Sequence, residues 1–132
     1  MTASVPAIRT TTPVFLVADV AATMQWYRTH LGFDGRGVPE RPPHNFGIMM
    51  RDDVEIMLQR LDGYRKPDLY NEREGGVWSV YLRVEGVREL FEAVSKMPEV
   101  KMTEPLHVQP YGQIEFVISD PNGYVLVFSE PV

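Results

Sequence analysis

The sequence contains no cysteine, and that one absence removes disulfide bonds, thiolate metal sites and cysteine nucleophiles together. Lysine is also scarce. Of the 13 basic residues three are Lys, the ten Arg are scattered, and the net charge is −5. This balance argues against a phosphate backbone and hence against nucleic acid as a partner. No long apolar run exists although 44% of residues are hydrophobic, so no membrane-spanning segment is expected. Met1 to Ile8 lacks the basic start and apolar stretch of a signal peptide and reads as a short tail, which makes a cytoplasmic location the expectation. Histidine occurs three times, at His30, His44 and His107. What remains, in 132 residues, suffices for one domain or for two small modules sharing a core.

The most legible stretch is Tyr111 to Glu130. Ile114, Phe116 and Ile118 alternate with Glu115, Val117 and Ser119, the period of a strand with one strongly apolar face. Asp120-Pro121-Asn122-Gly123 then stops the run. Asp suits the first turn position, Pro presets φ at the second, and Gly tolerates the left-handed closure of a bulged hairpin. Tyr124 to Phe128 returns as a β-branched and aromatic strand.

Earlier in the chain, Thr12 to Val17 reads as a strand. Asp19 is placed to cap a helix whose Val20, Met24, Tyr27 and Leu31 recur at helical spacing, and Gly32 ends it. Phe33 to Val38 reads as a short strand before a Pro-rich loop. Phe46 to Arg51 and Val54 to Gln59 make a hairpin around Arg51-Asp52-Asp53. Arg60 to Gly76 is the longest irregular segment, a linker or lid. Val77 to Val84 is the next strand, and Val87, Leu90, Phe91 and Val94 form the stripe of a second helix that Pro98 stops. Leu106 to Gln109 is a short strand before the terminal hairpin.

The halves repeat. Val17, Val20, Met24 and Tyr27 match Val84, Val87, Phe91 and Val94 at a constant offset (84 − 17 = 67). The hairpins follow, Gly47-Ile48-Met49-Met50 against Glu115-Phe116-Val117-Ile118. Each half is strand–helix–strand–strand–strand, and one such module presents a half-covered sheet that is not expected to be stable alone.

A βαβββ unit repeated twice, ending in Pro110-Tyr111-Gly112, Glu115-Phe116 and Asp120-Pro121-Asn122-Gly123, resembles the vicinal oxygen chelate superfamily. That group holds glyoxalase I, extradiol dioxygenases and the bleomycin resistance proteins, and the look is nearest to the bleomycin-resistance-like branch. The resemblance spans Thr12 to Glu130 and implies an α+β fold, with two βαβββ modules (about 12–60 and 77–132, linker 61–76) in a curved eight-stranded cup. It also implies a homodimer whose modules pair across chains.

Enzymes of that superfamily hold a divalent metal at positions best matched here by Thr12, Met57, Ser79 and Val127. Met and Val offer no hard donor, and neutral hydroxyls are poor ones, so a metal-free protein without cofactor is expected. Strand parity turns Glu55, Met57, Gln59, Ser79, Tyr81, Arg83, Glu115, Val117, Val125 and Val127 inward with Thr12, Val14 and Leu16, giving a largely apolar cleft for a small molecule. The expected ligand-binding set is Glu55, Met57, Gln59, Tyr81, Arg83, His107, Tyr111, Glu115 and Val127. Many of the apolar members serve equally as core, and Arg83 is the obvious ion-pair partner for Glu115. His30, in the last turn of a helix, reads as structural, His44 as exposed, and His107 alone as a candidate for acid–base work. Trp26, Tyr64, Tyr70, Trp78 and Tyr111 offer flat surfaces, those in loops as a pocket rim. The leading expectation is a protein that sequesters a small molecule, such as a cationic or planar antibiotic or a metabolite. A metal-independent lyase or isomerase and a ligand-free dimeric scaffold are the alternatives.

Overall fold

The structure is a computed structural model and describes residues 4–68 and 76–132. Ten elements follow one another: β1 (Val14–Val17), α1 (Val20–Leu31), β2 (Asp34–Val38), β3 (Phe46–Arg51), β4 (Val54–Arg60), β5 (Val80–Arg83), α2 (Val87–Ser95), β6 (Lys101–Val108), β7 (Gln113–Ser119) and β8 (Val125–Pro131). The eight strands divide into two four-stranded sheets of the same order, β1-β4-β3-β2 and β5-β8-β7-β6. In each, the first strand runs parallel to the last and the other pairs are antiparallel. The architecture is α+β, with the βαβββ unit present twice.

The local chemistry explains the helix ends. Asp19 lies extended before α1 and its carboxylate accepts the Ala22 N–H at 3.0 Å. Gly32 closes the helix at φ 68°, a left-handed conformation that a Cβ disfavours. The second helix has no capping side chain of its own, because Gly86 stands at its N-cap. The carboxylate of Glu130, from the end of β8, accepts the N–H groups of Gly86 and Val87 instead, at 3.0 and 3.1 Å. A negative group at the positive end of the helix is the favourable sign.

One continuous core holds the modules together. Phe15, Val17, Met49, Ile56 and Leu58 from the first sheet meet Leu82, Phe116, Ile118, Leu126 and Phe128 from the second, with residues of both helices between them. Each sheet therefore turns its helix-bearing face to the same core, and its other face away from it. Specific contacts fix the junction. Phe15 stacks on Tyr124 at 4.1 Å, and the Tyr124 hydroxyl donates to the Leu16 carbonyl at 2.6 Å. Buried Tyr27 donates to the carboxylate of Asp120 at 2.5 Å, and Asn122 donates to Thr23 at 2.9 Å. The Asp120-Pro121-Asn122-Gly123 turn is thus also a clasp on α1.

Several elements differ from the sequence reading. Strand β6 begins at Lys101 rather than Leu106, interrupted by irregularities between Met102 and Glu104 and between Glu104 and His107. Strands β1 and β5 are shorter than Thr12–Val17 and Val77–Val84. The repeat of the hairpins is also offset by one residue from the alignment given above. Gly47 faces α1, where a Cβ would meet Val20, whereas Glu115 lies on the opposite face with Tyr81. The residue equivalent to Glu115 is Phe46, which pairs with Gln59 on β4 as Glu115 pairs with Ser129 on β8, and a one-residue slip exchanges the faces of a strand.

Candidate functional site

Strand register brings four side chains into a row across the second sheet, on the face turned from the helices. Arg83 on β5 pairs with Ser129 on β8, Ser129 with Glu115 on β7, and Glu115 with His107 on β6. The adjacent row holds Tyr81, Val127 and Val117. Val117, Val125 and Val127 are fully buried and form a small apolar cluster with Tyr81 packed against it.

Glu115 is 0% exposed within this face, where an isolated carboxylate would be costly. Three donors satisfy it. The Tyr81 hydroxyl donates to Oε2 at 2.5 Å, the Tyr111 hydroxyl to the same oxygen at 2.7 Å, and the Gln109 amide to Oε1 at 3.1 Å. Tyr111 reaches back because the chain turns sharply after β6: the Gly112 N–H donates to the Gln109 carbonyl, and Gly112 adopts φ 83°. Burial raises the pKa of Tyr81 and of Tyr111, and the hydrogen bonds to Glu115 raise both further. Both phenols therefore keep their protons.

The network continues to His107. Its Nδ1 meets the Pro105 carbonyl at 2.8 Å, so that nitrogen carries the proton, and its Nε2 accepts from Gln109 at 2.9 Å. A single amide group thus links imidazole and carboxylate. Trp78 flanks the cluster at 5.6 Å from the Tyr81 ring, and the Arg83 guanidinium lies over that ring at 5.6 Å.

Of the expected set, the structure brings Tyr81, Arg83, His107, Tyr111, Glu115 and Val127 together. The expected Arg83–Glu115 ion pair does not form: the carboxylate is taken by neutral donors, and Arg83 contacts the aromatic face instead. Glu55, Met57 and Gln59 lie on β4, in the other sheet. Their face is open. Val14 is 49% exposed, Met50 48% and Phe46 40%. Gln109 was missed as a site residue, although alternation from His107 on a strand would have placed it on the same face.

The remaining histidines are structural. His30 contacts the Trp26 carbonyl at 3.0 Å within α1. His44 is buried rather than exposed, its ring lying against Gly37 and its Nδ1 at 2.7 Å from the Pro39 carbonyl. Tyr64, in the linker, is half-buried and lines a cavity of about 540 Å³ with Leu16, Lys66, Asn122 and Val125. Tyr70 lies outside the described residues. A second cavity, of about 870 Å³, opens at the module junction between Phe33, Arg51, Leu82, Glu85 and Phe128. Neither reaches Glu115.

The four positions matched to metal ligands do not fit a divalent ion. The Thr12 hydroxyl donates to Glu55 at 3.4 Å, and the Ser79 hydroxyl accepts the Val125 N–H at 2.9 Å. Met57 and Val127 have no oxygen or nitrogen to offer. Among the described residues no group of three or more His, Cys, Asp or Glu is placed to share an ion. Among the described residues, too, no helix is long and apolar enough to cross a membrane.

Comparison with known proteins agrees with this architecture. No curated protein matches the chain. Among solved structures it is similar to TioX from Micromonospora sp. ML1, with TM-score 0.72 and 16% identity over 92% of this chain and 97% of that one. It is similar to the bleomycin resistance determinant encoded on transposon Tn5, with TM-score 0.71 and 18% identity over 94% and 98%. A bleomycin-binding protein from Streptomyces verticillus, solved with copper(II)-bleomycin, gives TM-score 0.69 and 19% identity over 97% and 100%. At these identities the likeness establishes the fold alone. The family model for the Glyoxalase/Bleomycin resistance protein/Dioxygenase superfamily matches residues 9–128, nearly the whole chain, and the protein belongs to that superfamily.

Proposed function

We propose that this is a metal-free binding protein that sequesters a small molecule, an antibiotic or a metabolite, on the face of the second sheet built around Glu115. The observation that carries the reading is a fully buried carboxylate held by two phenols and an amide beside the apolar patch of Val117, Val125 and Val127. A few convergent polar groups on an apolar ground is the usual composition of such a site. The fold likeness to proteins described as bleomycin-binding or bleomycin resistance determinants supports the same class. The protein works as a homodimer in this reading. The half-exposed Val14, Phe46 and Met50 then cover the corresponding face of a partner and place Glu55, Met57 and Gln59 opposite its Glu115.

The reading as a lyase or isomerase has less support. A catalytic base must reach the proton it takes, whereas Glu115 is fully buried behind its three donors and both His107 nitrogens are engaged. A thermal-shift screen with metabolites and antibiotics tests the binding function, since a ligand at 100 times its Kd stabilises by about 2.7 kcal/mol. A hit that loses its effect in Glu115→Gln is expected. Absence of any hit, or hits indifferent to that substitution, would count against it. For the dimer, Met50→Glu should convert the protein to monomer in sedimentation at micromolar concentration. A wild-type chain that is already monomeric there refutes the pairing.

A further inference from the structure

The Glu115 cluster has a charge without a countercharge. Among the described residues Glu115 forms no ion pair, unlike His30 with Glu99, Arg51 with Asp52 and Arg60 with Asp62. Hydrogen bonds from phenols and an amide offset its desolvation but leave the negative charge in place. The two phenols are polarised by it. Each has one proton, both protons point at Oε2, and what the phenolic oxygens have left to offer is lone pairs. Next to them stand the faces of Tyr81 and Trp78, electron-rich surfaces that attract a cation. Trp78 and Tyr111 are 42% and 55% exposed, so the arrangement is reachable from solvent.

A cation is already present. The guanidinium of Arg83, the next residue along the same face of edge strand β5, sits 5.6 Å from the Tyr81 ring centre without reaching the carboxylate behind it. Arg83 is exposed, so its guanidinium can leave that position without uncovering core. We propose that Tyr81, Trp78, Tyr111 and Glu115 form a receptor for the ammonium, guanidinium or amidinium group of a ligand, and that Arg83 is its resting, displaceable occupant. This rests on the binding function proposed above and narrows it to ligands carrying an organic cation. In the bound state the ligand's cation lies over the Tyr81 and Trp78 rings and donates to phenolic oxygen, and Arg83 swings into solvent. Arg83 thereby sets affinity by competition rather than by contact.

Isothermal titration calorimetry with benzamidinium, against neutral benzamide of the same shape, tests the assignment. Benzamidinium should bind one per chain and benzamide at least about tenfold more weakly, because a charged donor and the ring contact are both lost. Arg83→Ala should tighten benzamidinium severalfold. Glu115→Gln should weaken it about tenfold or more, and Tyr111→Phe, which removes one donor and leaves those of Tyr81 and Gln109 on the carboxylate, by a smaller factor. Equal binding of the two probes, or an Arg83→Ala variant that binds no better, overturns the proposal. A neutral or anionic screening hit that depends on Glu115 would also overturn it while leaving the binding function standing. So would a Glu115→Gln variant that weakens self-association while the wild type ignores benzamidinium, since a basic side chain of a second copy would then be the occupant.

Discussion

Replacing Tyr27 by Phe removes one oxygen atom from the junction of the two modules and tests how they are held. Tyr27 is 0% exposed and donates to Asp120, itself 5% exposed, across 93 positions of chain. Asp120 also accepts from the Asn122 and Tyr124 N–H groups, both at 2.9 Å. Losing a hydrogen bond to a buried charged group costs about 1.5–3 kcal/mol, against about 1 kcal/mol for a neutral one. That difference makes the cost depend on pH. Burial raises the pKa of Asp120, while the hydrogen bonds from Tyr27 and from the turn backbone lower it. A carboxyl raised in the fold binds its proton more tightly folded than unfolded, so its contribution to stability falls as pH rises from the unfolded to the folded value. Without the Tyr27 hydroxyl the folded value moves higher still and the window widens. Tyr27→Phe should therefore cost more at neutral pH than in acid. In urea unfolding at neutral pH we expect the midpoint to fall by roughly 1 M with an unchanged slope. A loss below about 0.5 kcal/mol, or one equal at both pH values, would refute the reasoning.

Gly47→Ala should destabilise by about 1–3 kcal/mol in the same assay, because its Cβ would lie 2.8 Å from Val20 Cγ1 and 3.2 Å from Leu58 Cδ1, between α1 and the sheet. Glu130→Gln should lessen the fall of stability in acid: its pKa is lowered by the Gly86 and Val87 N–H groups, so its contribution is present above the unfolded value and lost as pH falls through the folded one. A wild-type acid profile retained by the variant would contradict that role. Gly37→Ala should displace the buried His44 ring that lies against it, detectable as a change in the His44 resonances and a lower thermal midpoint.

Local chemistry made much of the fold legible. Asp19 and Gly32 bracket α1, Asp120-Pro121-Asn122-Gly123 turns the last hairpin, and strand alternation placed Glu115, Val117, Tyr81 and Val127 on one face. What stayed hidden depends on contacts distant in sequence or on irregular backbone. Strand β6 carries Pro105 and two register shifts, which erase the period of two. Asp120 read as a turn residue, and nothing near it in sequence announces Tyr27. The partners of Glu115 were missed because a cation is the obvious match for a carboxylate, whereas the turn at Gly112 delivers a phenol from four residues away. His44 looked exposed among prolines, yet Gly37 leaves room for its ring.

The central claim is that the face around Glu115 receives a small molecule. Titrating isotope-labelled protein with the tightest hit of the thermal-shift screen, and following the Trp78 indole, the Gln109 side-chain amide and the Tyr111 backbone amide by NMR, tests it most directly. The account predicts saturable shifts concentrated on those three groups, reduced in parallel with affinity in Glu115→Gln. Shifts centred on Phe33, Leu82 and Phe128 at the module junction, with Trp78 and Gln109 unmoved, would contradict it.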